Sequence, residues 1–238
     1  MVVVKTTSTT FMRIKMYSVI IPTMWRQNLN DFVDVLRDLN QSQYVEEIIL
    51  IDNEPAFDNA VKTQILSDID KLRHLRMEQN IYVNPAWNLG VKSATGEYVM
   101  VLNDDVWSVP PISSIFPAHQ SHFDKESGIY GLSTSCFLCD DVRHSVPEEN
   151  INIVNTEGRG TGWGCLFLLR RDSWKEIPDE LKVWFGDDYI TKEFNKEGKT
   201  VYSIKNLCVT EWSITSRNPE FSPVTENDKE IYFSKYSN

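Results

Sequence analysis

The feature that most constrains this chain is a series of short apolar runs that stop abruptly at polar residues. Tyr17-Ser-Val-Ile-Ile-Pro22, Glu47-Ile-Ile-Leu-Ile-Asp52 and Glu97-Tyr-Val-Met-Val-Leu102 each read as a buried strand, because both faces are apolar. Between them, Leu29, Phe32, Val33, Leu36 and Leu39 recur at helical spacing, and a second amphipathic stretch covers about 59–72. A shorter strand is expected near Leu75 to Met77, and a short helix over Pro85 to Ala94, with Pro in its first turn. Strand and helix in alternation, with strands apolar on both sides, imply a largely parallel sheet covered by helices. Ligands in such sheets bind beyond the carboxyl ends of the strands. Three strands end there in polar residues: Pro22-Thr23, Asp52-Asn53 and Asn103-Asp104-Asp105.

The second half is less regular. Strands are expected around Ile129 to Thr134, Gly164 to Leu169, Val201 to Ile204 and Leu207 to Val209, with a helix from Phe185-Gly-Asp-Asp188 to about Glu197. The stretch from Arg217 is polar and reads as a loop with a terminal helix or arm. No linker or repeat divides the 238 residues, so one α/β domain is expected over 1–238, with a binding half over 16–106, a second half over 107–216 and a tail.

Composition narrows the partners. A formal net charge of −10 without a basic cluster argues against nucleic acid. Four cysteines are present; Cys136 and Cys139 form a CxxC with His144 nearby, but a structural zinc site wants four well-spaced ligands. Buried free thiols are the expectation, and reduced thiols suit a cytoplasmic protein. No stretch has the length of a membrane helix, and the first residues lack the apolar core of a signal peptide.

Asn103-Asp104-Asp105 at a strand end could hold a hard divalent cation, or could be ordinary acidic turn residues. Asp187 and Asp188 could serve as acid–base groups, or could be helix-start carboxylates favoured by the macrodipole. Trp163, between two glycines, is expected to be little buried; a sugar-stacking or lid role and simple packing both remain open.

Taken in order, residues 17–23, 48–53, Asn84-Pro-Ala-Trp-Asn-Leu-Gly90 and 96–106 resemble family 2 inverting glycosyltransferases, especially a rhamnosyltransferase-like branch. Gly164 to Asp172 and Phe185-Gly-Asp-Asp-Tyr189 match more loosely. The resemblance implies a GT-A fold and transfer of a sugar from a nucleotide-diphosphate donor to an acceptor hydroxyl, assisted by Mn²⁺ or Mg²⁺. It implies that Pro22, Thr23, Asp52 and Asn53 edge the base pocket, with Asp52 accepting from the imide of uracil or thymine. Without the resemblance, Asp52 reads equally as a strand-ending turn residue. Asn88 and Gly90 would lie near ribose and diphosphate, although a helix start and cap explain them too. Asp105 would be the main metal ligand, assisted by Asn103, which stands where the family has Asp, and by Glu211, where it often has His. Asp104 would contact ribose or sugar, and Asp188 would be the general base, with Asp187 binding the acceptor or holding its neighbour.

The acceptor is left undefined among a glycan, a lipid-linked glycan, a protein and a modified base. Two alternatives stand beside this reading. One is an inactive nucleotide-sugar-binding module, favoured by Asn103 and Glu211. The other is a sugar-phosphate nucleotidylyltransferase, disfavoured because Thr23-Met-Trp-Arg26 has no glycine and one basic residue. A dinucleotide-dependent oxidoreductase would need a GxGxxG after the first strand, and none is there.

Overall fold

The computed structural model describes residues 15–123, 128–139, 150–156, 159–211 and 218–237. Its first half follows the apolar runs closely. Strand β1 (Tyr17–Thr23) is buried throughout, and helix α1 (Leu29–Gln41) lays Phe32, Val35, Leu36 and Leu39 against the sheet. Strand β2 (Val45–Asp52) leads to helix α2 (Ala60–Asp68), whose start is capped by Asn59 accepting from the Val61 amide at 2.8 Å. Then come β3 (Leu72–Arg76), α3 (Val83–Ser93) and β4 (Tyr98–Leu102).

Three elements carry too little pattern to be expected from sequence: β5 (Val106–Val109), α4 (Ile115–Phe123) and β7 (Asn152–Asn155). The remainder are β6 (Gly128–Leu132), β8 (Leu166–Arg170), α5 (Gly186–Lys196), β9 (Thr200–Lys205), β10 (Cys208–Glu211) and α6 (Ser222–Ile231).

Eight strands form one sheet in the order β3-β2-β1-β4-β8-β6-β9-β7. The first four are mutually parallel, and β8 runs antiparallel to both β4 and β6. This is an α/β fold of the expected class. The chain passes from β3 across to β4 beside β1, so strand order reverses at β1 and a crevice opens there at the carboxyl ends. A separate pair, β5 and β10, sets Glu211 opposite Val106, one residue past Asp105.

Two apolar layers, one on each face, bury the sheet. Tyr17, Leu36, Leu50, Met100 and Phe116 lie in one; Ile20, Trp87, Val99, Phe167 and Phe194 lie in the other. Helix α3 packs tightly, because a Cβ at Gly90 would sit 2.3 Å from the Ile20 side chain.

Candidate active site

The crevice contains a cavity of about 450 Å³ beyond β1, β2 and β3. Its walls include Arg26, Asn53, Glu54, Glu78 and Tyr82, and it is closed by Glu220, Phe221 and Val224 from the start of α6. Arg26 binds Glu220 at 2.8 Å and lies over the Phe221 ring. Trp25 and Tyr82 both adopt positive φ, 58° and 67°. Such strain in aromatic residues collects at sites the surrounding fold holds rigidly.

Asp52 lies behind this cavity, fully buried. One oxygen accepts from Trp25 Nε1 at 2.8 Å and from the Glu54 amide at 3.1 Å; the other meets Lys62 Nζ at 2.7 Å and His74 Nε2 at 3.0 Å. A carboxylate has about four lone-pair sites, so protein donors take them all. Burial pushes its pKa up, but the bonds from Lys62, Trp25 and His74 outweigh it and hold the group below the ordinary aspartate value. Arranged this way, Asp52 braces the crevice and has no free lone pair for a base. Asn53, which does line the cavity, accepts from the Ile81 amide at 3.2 Å. Pro22 is in the buried run of β1, and the Thr23 hydroxyl accepts from the Trp25 amide at 2.9 Å.

At the end of β4, Asn103 donates its amide to the Cys165 carbonyl at 2.9 Å. Its side-chain Oδ1 is buried with no hydrogen-bond partner. A buried orphan acceptor costs about 1–3 kcal/mol unless something else satisfies it. Asp104 lies against Thr23 and Met24; burial first, and then the charge of Asp105, push its pKa up to about 7. An orphan amide oxygen beside two consecutive carboxylates fits a hard cation. Among the described residues no three His, Cys, Asp or Glu side chains gather to hold a metal. The Glu211 side chain lies outside the described residues.

Two expectations turn out differently. Trp163 is fully buried: it stacks on Phe167, donates Nε1 to the Tyr202 carbonyl at 3.1 Å, and fills space beside Gly131, where a Cβ would lie 2.2 Å from its ring. Its indole is core, not a lid. Asn88 spends its amide on the other half of the chain, donating to the Ile177 carbonyl at 2.8 Å and accepting from Trp174 Nε1 and the Ile177 amide, both at 3.0 Å. Gly90 serves helix packing, as its contact with Ile20 shows.

Helix α5 opens with Asp187 and Asp188 in its first turn. Asn84 donates to the carbonyls of Leu181 and Trp184, and a Cβ at Gly186 would sit 2.2 Å from the Asn84 Oδ1. The buried Asp228 accepts from the amides of Lys182, Val183 and Trp184 at 2.9, 2.6 and 2.9 Å. These contacts fix the loop before the acid pair. Phe185, at φ 63°, turns it and stacks on Tyr232 with ring centres 4.6 Å apart.

Burial raises Asp187 to about 6; Arg159 opposes this and the Asp188 charge adds to it. Arg159 Nη1 stands 3.2 Å from Asp187, and its other nitrogens grip Asp188.

The glycosyl transferase family 2 model matches residues 18–177, more than half of the chain. The chain belongs to glycosyltransferase family 2. Solved structures of similar fold include Staphylococcus aureus TarS in complex with UDP (TM-score 0.56, 18% identity, 78% of this chain and 57% of that one). GalNAc-T7 with UDP, GalNAc and Mn²⁺ has a TM-score of 0.62 at 14% identity, over 92% of this chain and 48% of that one. The mannosyltransferase PcManGT from Pyrobaculum calidifontis, with GDP-Man and Mn²⁺, has a TM-score of 0.54 at 14% identity, over 79% and 54%. The chain thus spans about half the length of these proteins, and the likeness establishes a GT-A fold. No curated protein matches the chain significantly.

The match of this family 2 chain ends before the acid pair, which α5 supplies, and before α6, which closes the cavity. Arg159 and the residues closing the cavity were not identified from sequence. An isolated arginine in a polar stretch carries no periodic signal, and Phe221 reads as one apolar residue in a polar tail.

The cysteines also need correction. Cys139 and Cys208 form a disulfide, with Cα atoms 5.7 Å apart; Cys136 and Cys165 are not in a disulfide. His144 lies outside the described residues. Disulfides belong mostly to oxidising compartments, so the thiol argument for the cytoplasm no longer holds. Among the described residues no helix is long and apolar enough to cross a membrane.

Proposed function

We propose that this family 2 chain transfers a sugar from a nucleotide-diphosphate donor to an acceptor hydroxyl, with inversion. One observation supports the reading: a short relay of contacts links the two acid groups. The Asn103 backbone amide bonds the Cys165 carbonyl, and the preceding Gly164 lies against Asp187. A nucleotide in the 450 Å³ cavity would point its diphosphate toward Asn103 to Asp105.

A divalent cation, Mn²⁺ or Mg²⁺, would be held by Asp105 and the Asn103 Oδ1 with Asp104 beside them, and would offset charge on the diphosphate. Asn103 brings no charge, so affinity for the cation would be modest. The base of the donor would meet Asn53 and the cavity wall, since Asp52 is occupied by its own partners. That leaves uracil, thymine and guanine to be separated by experiment. One carboxylate of the Asp187–Asp188 pair takes the acceptor proton. Hydroxyl acceptors on a glycan, a lipid-linked glycan, a protein or a modified base all suit this chemistry.

Calorimetry with UDP, dTDP and GDP, with and without Mn²⁺, tests the reading, repeated with Asp105→Ala. Cation-dependent binding of one nucleotide, lost in the variant, supports it. Binding that never leads to donor hydrolysis or transfer favours an inactive binding module, and no nucleotide binding at all refutes both.

A further inference from the structure

The two carboxylates at the start of α5 are not equivalent. Arg159 forks onto Asp188, with Nε 2.7 Å from one oxygen and Nη2 on the other. It gives Asp187 a single, longer contact at 3.2 Å. The oxygen that meets Arg159, Oδ2, also lies so near Gly164 that a Cβ there would be 2.4 Å from it. Gly164 adjoins Cys165, whose carbonyl accepts from the Asn103 backbone amide, so it is Asp187 that the contacts tie to the strand-end segment.

We propose that Arg159 is a positioning residue that locks Asp188 in a two-point ion pair and so makes Asp187 the general base. The inference rests on the transferase reading above. During transfer the acceptor oxygen attacks the anomeric carbon and forms the new C–O bond. The bond from that carbon to the diphosphate oxygen breaks, with its electron pair leaving on the diphosphate. The acceptor proton passes to the Asp187 carboxylate. Asp188 is poorly placed to take it, because protonation would break a fork of charge-assisted hydrogen bonds. The titratable and charged groups facing Asp187 are Asp188 on its own helix, Arg159, and Tyr232 from the turn after α6. Of these, only Arg159 favours the ionised form of Asp187, against burial and the Asp188 charge that raise it to about 6.

The test is a pH titration of aspartate carboxyl ¹³C signals in the whole protein, which needs no donor. It is paired with rates of Mn²⁺-dependent hydrolysis of UDP-glucose, UDP-GalNAc and GDP-mannose. One carboxyl should titrate near pH 6, vanish in Asp187→Asn, and move upward in Arg159→Gln. Arg159→Lys keeps the charge without the fork and should give a smaller move. Hydrolysis should fall at least about a hundredfold in Asp187→Asn and about tenfold in Asp188→Asn. The acid limb of Arg159→Gln should shift to higher pH.

An Arg159→Gln rate lowered equally at every pH, with the carboxyl titration unmoved, would reduce Arg159 to a structural role and overturn the proposal. So would a larger loss in Asp188→Asn than in Asp187→Asn. Calorimetry keeps the two failures apart: wild type that binds none of the nucleotides sinks the transferase reading, whatever the carboxyl titration shows.

Discussion

Asp52 and Asp187 lie in the two halves of the chain, both largely withdrawn from water, and the fold treats them in opposite ways. Asp52 receives four donors and is held below the ordinary aspartate pKa; Asp187 shares one arginine with a neighbouring carboxylate and rises to about 6. Burial alone therefore does not decide what a carboxylate does. The supply of donors does: where it saturates, the residue is a brace, and where it falls short, the residue can take a proton.

The largest expected effect that would sharpen this contrast is on chemistry. Asp187→Asn should lower transfer or donor hydrolysis by about 10²–10⁴-fold, with the melting temperature nearly unchanged. Asp52→Asn should do the reverse. It leaves the buried Lys62 without its carboxylate, and unpaired buried charges cost about 3–5 kcal/mol, readable by urea unfolding. If Asp52→Asn instead leaves stability intact and abolishes UDP binding, the brace assignment is wrong.

A pH series compares the two groups in one sample. With Asp187 as the proposed base, activity should fall as pH drops through about 6 and its carboxylate is protonated. Asp52 has a depressed folded pKa, so its contribution to stability is present above the unfolded value, about 4, and is lost only as pH falls through the lower folded value. Between about pH 4 and 6 the protein should be folded yet inactive, by circular dichroism and rate together. Coincident loss of both would break the comparison. The smallest effect is at Asn103: Asn103→Asp adds a charge to the proposed cation site and should tighten Mn²⁺ binding on the order of tenfold, by calorimetry.

Much of the first half was legible in the sequence, because parallel strands covered on both faces are continuous apolar runs. Those runs placed β1, β2 and β4 and the polar residues at their ends. The donors that saturate Asp52 were not legible: Trp25, Lys62 and His74 come from three separate elements, and only the fold assembles them. The burial of Trp163 was not legible for a similar reason. Its flanking glycines suggested looseness, whereas the glycine that matters, Gly131, belongs to another strand. The disulfide joins one cysteine of the CxxC to a distant strand, and such pairing cannot be deduced from spacing.

That disulfide closes a ring. Cys139 and Cys208 are 69 residues apart, and Arg159, Gly164, Asp187 and Asp188 all fall between them. The proposed proton-handling residues are therefore carried on a covalent loop sewn at its base beside β5. A protease that cuts the loop once cannot release either fragment while the bond is intact. Nicked protein would keep its mass in solution and separate into two bands only on a reducing gel.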